Sequence, residues 1–62
     1  MISLFIFIHC VDIDEVVFEI NGNEFYGKEI HQYYYLSEIK TMKISKLYVN
    51  SKNMITAVIH FD

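Results

Sequence analysis

The first hydrophobic pattern in the chain is a run of apolar residues within positions 2–10. From Leu4 to Ile8 the run has no polar residue, so it lacks the alternation of a half-exposed strand. Such a run is typical of a strand that is covered on both faces. It is too short to cross a bilayer, and no basic residue precedes it as in a signal peptide. The sequence therefore predicts a buried first strand at 2–10, followed by a polar turn at Asp12 and Asp14.

The clearest local signal is an alternating segment that ends in Asn21-Gly22. Apolar residues at 16, 18 and 20 form one face of a strand, and Asn-Gly readily takes the two positive-φ positions of a type I′ turn. The sequence therefore predicts a β-hairpin over about 15–28. With Asn21-Gly22 as the loop, the predicted cross-strand pairs are Ile20 with Asn23, Glu19 with Glu24, and Phe18 with Phe25.

Residues 29–43 carry a mixed signal. One face at helical spacing holds Tyr35, Leu36, Ile39 and Met42, which predicts a short amphipathic helix within 31–43. The consecutive tyrosines before it favour a strand instead.

The C-terminal segment returns to alternation. Leu47 and Val49 precede a polar turn at 50–53, and the residues after it again place apolar side chains on one face. Both apolar faces lie on the same side of a hairpin only if the loop has an odd number of residues. An odd loop is therefore predicted.

These elements together predict an α+β, mostly β fold in one small domain over residues 1–62. The expected architecture is an antiparallel sheet of about five strands, built from hairpins, with one short helix on a face. An all-β small barrel or sandwich is the alternative.

The composition is unusually apolar for 62 residues, with 53% hydrophobic side chains and a net charge of −3. A domain of this size buries only about 60% of the surface of its unfolded chain. Contiguous apolar patches left outside usually mark interfaces, which predicts a protein partner or a homo-oligomer. Half-exposed Tyr and Met side chains are the alternative. Cys10 is the only cysteine, which excludes an intrachain disulfide and favours a cytoplasmic location.

No motif in the chain predicts catalysis, a metal or a cofactor. The residues that could ligate a metal, His9, Cys10, His31 and His60, lack the spacing of a zinc site. No serine lies in a nucleophile elbow, and no glycine-rich loop is present to bind a phosphate. The sequence thus predicts a non-catalytic protein without a cofactor and without a membrane partner.

Charge is divided unevenly along the chain. The predicted acidic partner-binding face comprises Asp12, Asp14, Glu15, Glu19, Glu24 and Glu29. Such a face would speed and orient docking on a basic surface of another protein. Lys40, Lys43 and Lys46 could instead bind single-stranded nucleic acid together with nearby tyrosines, but a pI near 5.4 counts against it. A solvated surface without a partner is the further alternative.

Tyr33, Tyr34 and Tyr35 form the predicted aromatic part of the binding surface. Tyrosine offers a large contact area with few rotatable bonds, so it is enriched at interface hot spots. Three consecutive residues cannot all face the core, and at least one is expected to point outward. Half-buried tyrosines without a function are the alternative.

The expected function is that of a non-catalytic protein-binding module. The short chain, the absence of motifs and a composition rich in residues with A/T-rich codons are typical of small phage or mobile-element proteins. We expect an inhibitor that docks on a larger host protein, of the anti-CRISPR or anti-restriction type. A homo-oligomeric structural or regulatory domain is the alternative, and a nucleic-acid-binding domain is a less favoured one.

Overall fold

A five-stranded sheet with three short α-helices forms the fold of the protein. The computed structural model describes residues 2–61. The strands are β1 (Ile2–Ser3), β2 (Val16–Ile20), β3 (Asn23–Tyr26), β4 (Lys43–Val49) and β5 (Ile55–Ile59). The helices are α1 (Leu4–Cys10), α2 (Ile30–Tyr33) and α3 (Leu36–Ile39), with 3₁₀ helices at Ile13–Glu15 and Gly27–Glu29. The spatial order of the strands is β1-β4-β5-β2-β3.

The predicted hairpin is confirmed as β2 and β3. The two strands are antiparallel, and the three predicted cross-strand pairs are those observed. Asn21 has φ 50° and Gly22 has φ 87°, the positive values that a type I′ turn requires. Local sequence was sufficient here because the turn itself fixes the register.

The predicted first strand at 2–10 is wrong beyond Ser3. Only Ile2 and Ser3 pair with β4, and the chain then turns into α1. The Ser3 side chain caps this helix by accepting a hydrogen bond from the Ile6 N–H. Leu4 is completely buried against the sheet. A short apolar run fits a buried helix as well as a buried strand, so periodicity alone could not decide between them.

The predicted helix within 31–43 is present, but it is divided in two. Tyr34 (φ −132°, ψ 135°) and Tyr35 (φ −70°, ψ 154°) both have an extended backbone, and they separate α2 from α3. Ile39 and Met42 are buried as the helical spacing predicts, whereas Tyr35 and Leu36 are exposed. The two extended residues between the helices reflect the strand preference of tyrosine.

The C-terminal hairpin is confirmed as β4 and β5, joined by residues 50–54. The odd loop places Val49 opposite Ile55, and the apolar side chains of both strands share one face. The Asn50 side chain orders the loop because its Oδ1 accepts hydrogen bonds from the N–H groups of Lys52 at 2.9 Å and Met54 at 3.0 Å.

The sheet is mixed and not wholly antiparallel as predicted, because β2 and β5 are parallel neighbours in its centre. Their register places Phe18 beside Ala57. A strand with alternating apolar residues buries the same face whether it runs parallel or antiparallel to its neighbour. The pattern therefore carried no information on strand direction. Helix and strand are about equally common, which corrects the expectation of a mostly β fold.

The hydrophobic core lies between the sheet and the helices, on one face of the sheet. Its buried residues are Leu4, Val16, Phe18, Ile20, Phe25, Ile30, Ile39, Met42, Ile44, Ala57 and Ile59. All three α-helices contribute to this cluster, and within residues 2–61 no α-helix remains to cover the opposite face of the sheet.

Candidate docking surface

The sheet face opposite the helices provides the candidate functional site. Successive side chains of a strand alternate between faces, so the residues between the core positions point away from the helices. We call this surface the open face. It comprises Val17, Glu19, Glu24, Tyr26, Lys46, Tyr48, Thr56 and Val58.

Two tyrosines flank a buried strip in the middle of the open face. Tyr48, Thr56, Val17 and Tyr26 lie opposite one another across four strands. Val17 and Thr56 are fully buried, although the helices lie on the other side of the sheet. Tyr26 and Tyr48 are 43% and 38% exposed. Their rings therefore shield the strip while they present aromatic surface to solvent.

Each of these tyrosines has a lysine ammonium group over its ring. Lys46 Nζ lies 5.4 Å from the ring centroid of Tyr48, and Lys52 Nζ lies 5.8 Å from that of Tyr26. Both distances fall within the range of a cation–π interaction. The two contacts place a positive charge over each ring.

A pair of carboxylates lies beside the tyrosines. Glu19 and Glu24 are directly opposite each other on β2 and β3. The Tyr48 hydroxyl donates a hydrogen bond to Glu19 Oε2 at 3.3 Å. Partial desolvation, followed by the negative charges of Glu19 and Glu24, raises the pKa of the Tyr48 phenol above its ordinary value of 10.0. The open face is thus negative next to its aromatic centre.

The structure divides the six predicted acidic residues between two places. Glu19 and Glu24 lie on the open face, whereas Asp12, Asp14, Glu15 and Glu29 lie in or next to the two 3₁₀ helices, which contact each other. Two of the latter have local structural partners. Asp12 Oδ1 accepts the Asp14 N–H at 3.1 Å, and Glu29 Oε1 accepts the Tyr26 N–H at 3.2 Å. A shallow cleft of about 420 Å³ separates Asp14 and Glu15 from the β4–β5 loop.

The three predicted tyrosines lie away from the open face and do not act as one surface. Tyr34 is partly buried, and its ring meets those of Phe25 and Phe61 edge-on at 5.7 Å and 5.8 Å. Tyr33 and Tyr35 are 62% and 79% exposed, which confirms that at least one tyrosine faces outward. Tyr33 still contacts Phe25, with ring centroids 5.0 Å apart.

The remaining reactive side chains do not assemble into a centre. Cys10 is exposed at the end of α1, and His9 Nδ1 lies 2.8 Å from the Phe5 carbonyl oxygen. Across residues 2–61, no group of three His, Cys, Asp or Glu side chains is placed to hold a metal ion. Within the same residues, no helix has the length and apolar character needed to cross a membrane.

No known protein family, curated protein or solved structure matches this chain.

Sequence reasoning missed Tyr26 and Tyr48 as members of the candidate site. The signal for Tyr26 was present, because the hairpin register places it on the same face as Glu24. The side of Tyr48 also followed from its position between Leu47 and Val49. Their shared surface could not be derived, since it depends on β5 lying between β4 and β2.

Proposed function

We propose that the protein is a non-catalytic protein-binding module that docks on a larger protein through the open face. The observation that carries the proposal is the Tyr26–Tyr48 pair, which flanks a desolvated strip and lies beside Glu19 and Glu24. Half-exposed tyrosines around a dry centre resemble the hot spots of protein interfaces.

The charges of the open face indicate the chemistry of the partner. Glu19 and Glu24 face each other without a lysine between them, and a basic side chain of a partner would neutralise both. The partner surface we infer is therefore basic beside an apolar or aromatic centre. An inhibitor of a larger host protein, as in small phage and mobile-element proteins, is the biological form of this function that we favour.

Quantitative affinity capture with charge-reversal variants tests the proposal. Glu24→Lys should abolish capture of the partner from an extract of the native host, whereas Glu15→Lys should leave it unchanged. Both variants change the charge equally, but Glu15 lies in the 3₁₀ helix before β2, beside the β4–β5 loop, and outside the cross-strand pairs that form the open face. If every captured protein is retained equally by both variants, the open face is not the docking surface.

A single-stranded nucleic-acid-binding function is the second candidate. Tyr26 and Tyr48 each combine an aromatic ring with a lysine, which is the usual arrangement for stacking bases beside phosphates. Glu19 and Glu24 on the same face would repel phosphates, so we rank this function second. Fluorescence anisotropy with random oligonucleotides at low salt decides between the two. Binding that weakens steeply with salt and is lost in Tyr48→Ala would reverse the ranking.

A further inference from the structure

The outer edge of β4 is a second surface without a role in the fold. β1 pairs with β4 only at Lys43 and Ile44. Within the described residues 2–61, positions 45–49 of β4 therefore have no strand on their outer side. The apolar side chains of Ile2, Ile44 and Leu47 line a groove of about 220 Å³ at this edge.

Backbone groups of Leu47 and Val49 point toward the free edge. The Asn50 N–H donates to the Met54 carbonyl at 2.9 Å across the β4–β5 hairpin. Hydrogen-bonded and non-hydrogen-bonded positions alternate along an antiparallel pair. Two residues before Asn50, the backbone of Tyr48 therefore also forms its hydrogen bonds with β5. Leu47 and Val49 then direct their N–H and C=O groups outward, and their side chains are 42% and 60% exposed. Such an edge is a template for another strand.

The opposite edge of the sheet, β3, is protected. It has only four residues, and Glu29 accepts the Tyr26 N–H that would otherwise be free. Glu24 adds a charge to the same edge. Short length and charge are the usual means by which proteins block strand addition. The β4 edge has a bulge and a charge of its own at Ile44–Lys46, but residues 47–49 beyond them are regular and uncharged. Strand addition is therefore favoured at residues 47–49 of β4 and disfavoured at β3.

We propose that a second copy of this chain occupies the β4 edge, with the two β4 strands antiparallel about a two-fold axis at Tyr48. In this register Leu47 lies opposite Val49 of the second copy, and Val49 lies opposite Leu47 of the second copy. All the outward backbone groups of these residues then pair, which forms about four hydrogen bonds between the copies. The exposed Leu47 and Val49 side chains meet on one side of the joined sheet.

The occupancy of β1 excludes registers whose axis lies nearer the start of β4, and an axis at Val49 would place Ser51 of the β4–β5 loop opposite Leu47. A two-fold axis at Leu47 would place Asn50 of the second copy opposite Ile44, where Ile2 already lies. An axis at Lys46 would also bring the two Lys46 side chains directly opposite each other, and like charges in that position are destabilising. The axis at Tyr48 leaves β1 in place and separates the lysines.

Pairing of this kind joins the two open faces. The two-fold axis is perpendicular to the sheet, so a given residue points to the same side of the joined sheet in both copies. The two Tyr48 side chains therefore meet on one side, and the helices of both copies lie on the other. The pair would present one ten-stranded sheet, whose open face has a two-fold axis at its centre.

Analytical ultracentrifugation of the whole chain tests the association. The interface is short, so the mass should rise from 7.4 kDa toward twice that value as the concentration reaches the order of 100 µM. Val49→Pro removes an outward N–H and should abolish the rise, whereas Val49→Ala keeps the N–H and should retain it. Leu47→Lys should also give a monomer, with Ile6→Lys on α1 as its matched control, and circular dichroism verifies the fold of each. A monomer at every concentration up to about 1 mM would overturn the proposal.

Disulfide trapping tests the register. In a Cys10→Ser background, Tyr48→Cys places two thiols opposite each other in a non-hydrogen-bonded pair, where Cα atoms lie about 4.5 Å apart. Mild oxidation should convert this variant to a covalent dimer, and Lys46→Cys should cross-link at least tenfold more slowly. Equal rates would overturn the register. Growth beyond a dimer would show a head-to-tail assembly and would overturn the two-fold arrangement.

Discussion

Glu19 and Glu24 show how one pair of side chains influences both stability and binding. The hairpin register places the two carboxylates opposite each other, where like charges repel. Among residues 2–61, Glu19 accepts a hydrogen bond from another side chain of the open face, the Tyr48 hydroxyl, whereas Glu24 accepts none from such a side chain. The repulsion lowers the stability of the folded state at the surface that we propose binds a basic partner.

Glu24→Gln should stabilise the folded protein, because it removes the repulsion and keeps the shape of the side chain. We expect the free energy of unfolding to rise by about 0.2–1 kcal/mol in a urea titration. Glu15→Gln is the control, and its effect should be close to zero. A loss of stability in Glu24→Gln would show that the carboxylate has a favourable partner.

The raised pKa of Tyr48 predicts a loss of stability at alkaline pH. The folded state favours the neutral phenol, so this contribution is complete below the unfolded pKa near 10.0 and is lost as pH rises through the folded pKa. Melting temperatures between about pH 8 and pH 11 should therefore fall more in the wild type than in Tyr48→Phe, which cannot ionise. Identical pH profiles of the two proteins would contradict this account.

At the scale of elements, the segment of residues 2–10 shows how packing selects between helix and strand. Its apolar side chains satisfy either conformation. A helix capped by Ser3 covers the core face of the sheet with Leu4 and with the partly buried Phe5 and Ile8. A long strand at the β4 edge would have left that face without the cover of α1, although α2 and α3 also pack on it.

Leu4→Ala should be strongly destabilising if α1 is part of the core. We expect a loss of about 2–5 kcal/mol, as for other fully buried leucines. Ile6→Ala is the matched control on the same helix, because Ile6 is 61% exposed and its truncation should cost little. Equal losses in chemical denaturation would contradict the packing of α1.

The two glycines should differ in their tolerance of a side chain. Gly22 and Gly27 both have positive φ, so alanine at either position should cost about 1–2 kcal/mol. A Cβ at Gly22 would meet no atom within 4 Å, whereas at Gly27 it would lie 3.2 Å from Asp14 Cα. Gly27→Ala should therefore lower the melting temperature more than Gly22→Ala, and the reverse order would contradict the contact between the two 3₁₀ helices.

For the whole molecule, the parallel β2–β5 pair is the centre of stability. Each of these strands has a neighbour on both sides, and Phe18 and Ala57 are completely buried. The edges are weaker, because β1 makes two residue pairs and β3 ends in a 3₁₀ helix. The buried strip at the centre of the proposed docking surface, Val17 and Thr56, therefore lies on the central strands of the fold.

Hydrogen–deuterium exchange followed by NMR should reveal this gradient. Amide protons of β2 and β5 should exchange slowest, at rates close to global unfolding, and those of β1 and the loop at 50–54 should exchange fastest. A concentration-dependent slowing at Leu47 and Val49 alone would accompany pairing at the β4 edge. Slowest exchange in α1 would contradict a central β2–β5 pair.

The sequence by itself determined the features that short-range physics controls. Asn21-Gly22 fixed the hairpin register through its positive-φ turn, and the spacing of Val49 and Ile55 fixed an odd loop. That at least one of Tyr33, Tyr34 and Tyr35 points outward also followed, because three consecutive residues cannot all face one core. Each of these conclusions depends on residues only a few positions apart.

Tertiary structure alone decided the helical state of residues 4–10, the parallel direction of β2 and β5, and the position of Tyr26 and Tyr48 on either side of one buried strip. Apolar side chains bury equally well in a helix or a strand, and in either strand direction, so their pattern leaves these choices open. Helix or strand, and parallel or antiparallel, are decided by which apolar surfaces of the whole molecule need to be covered. The candidate site belongs to this second group, because its residues join only when β5 lies between β4 and β2.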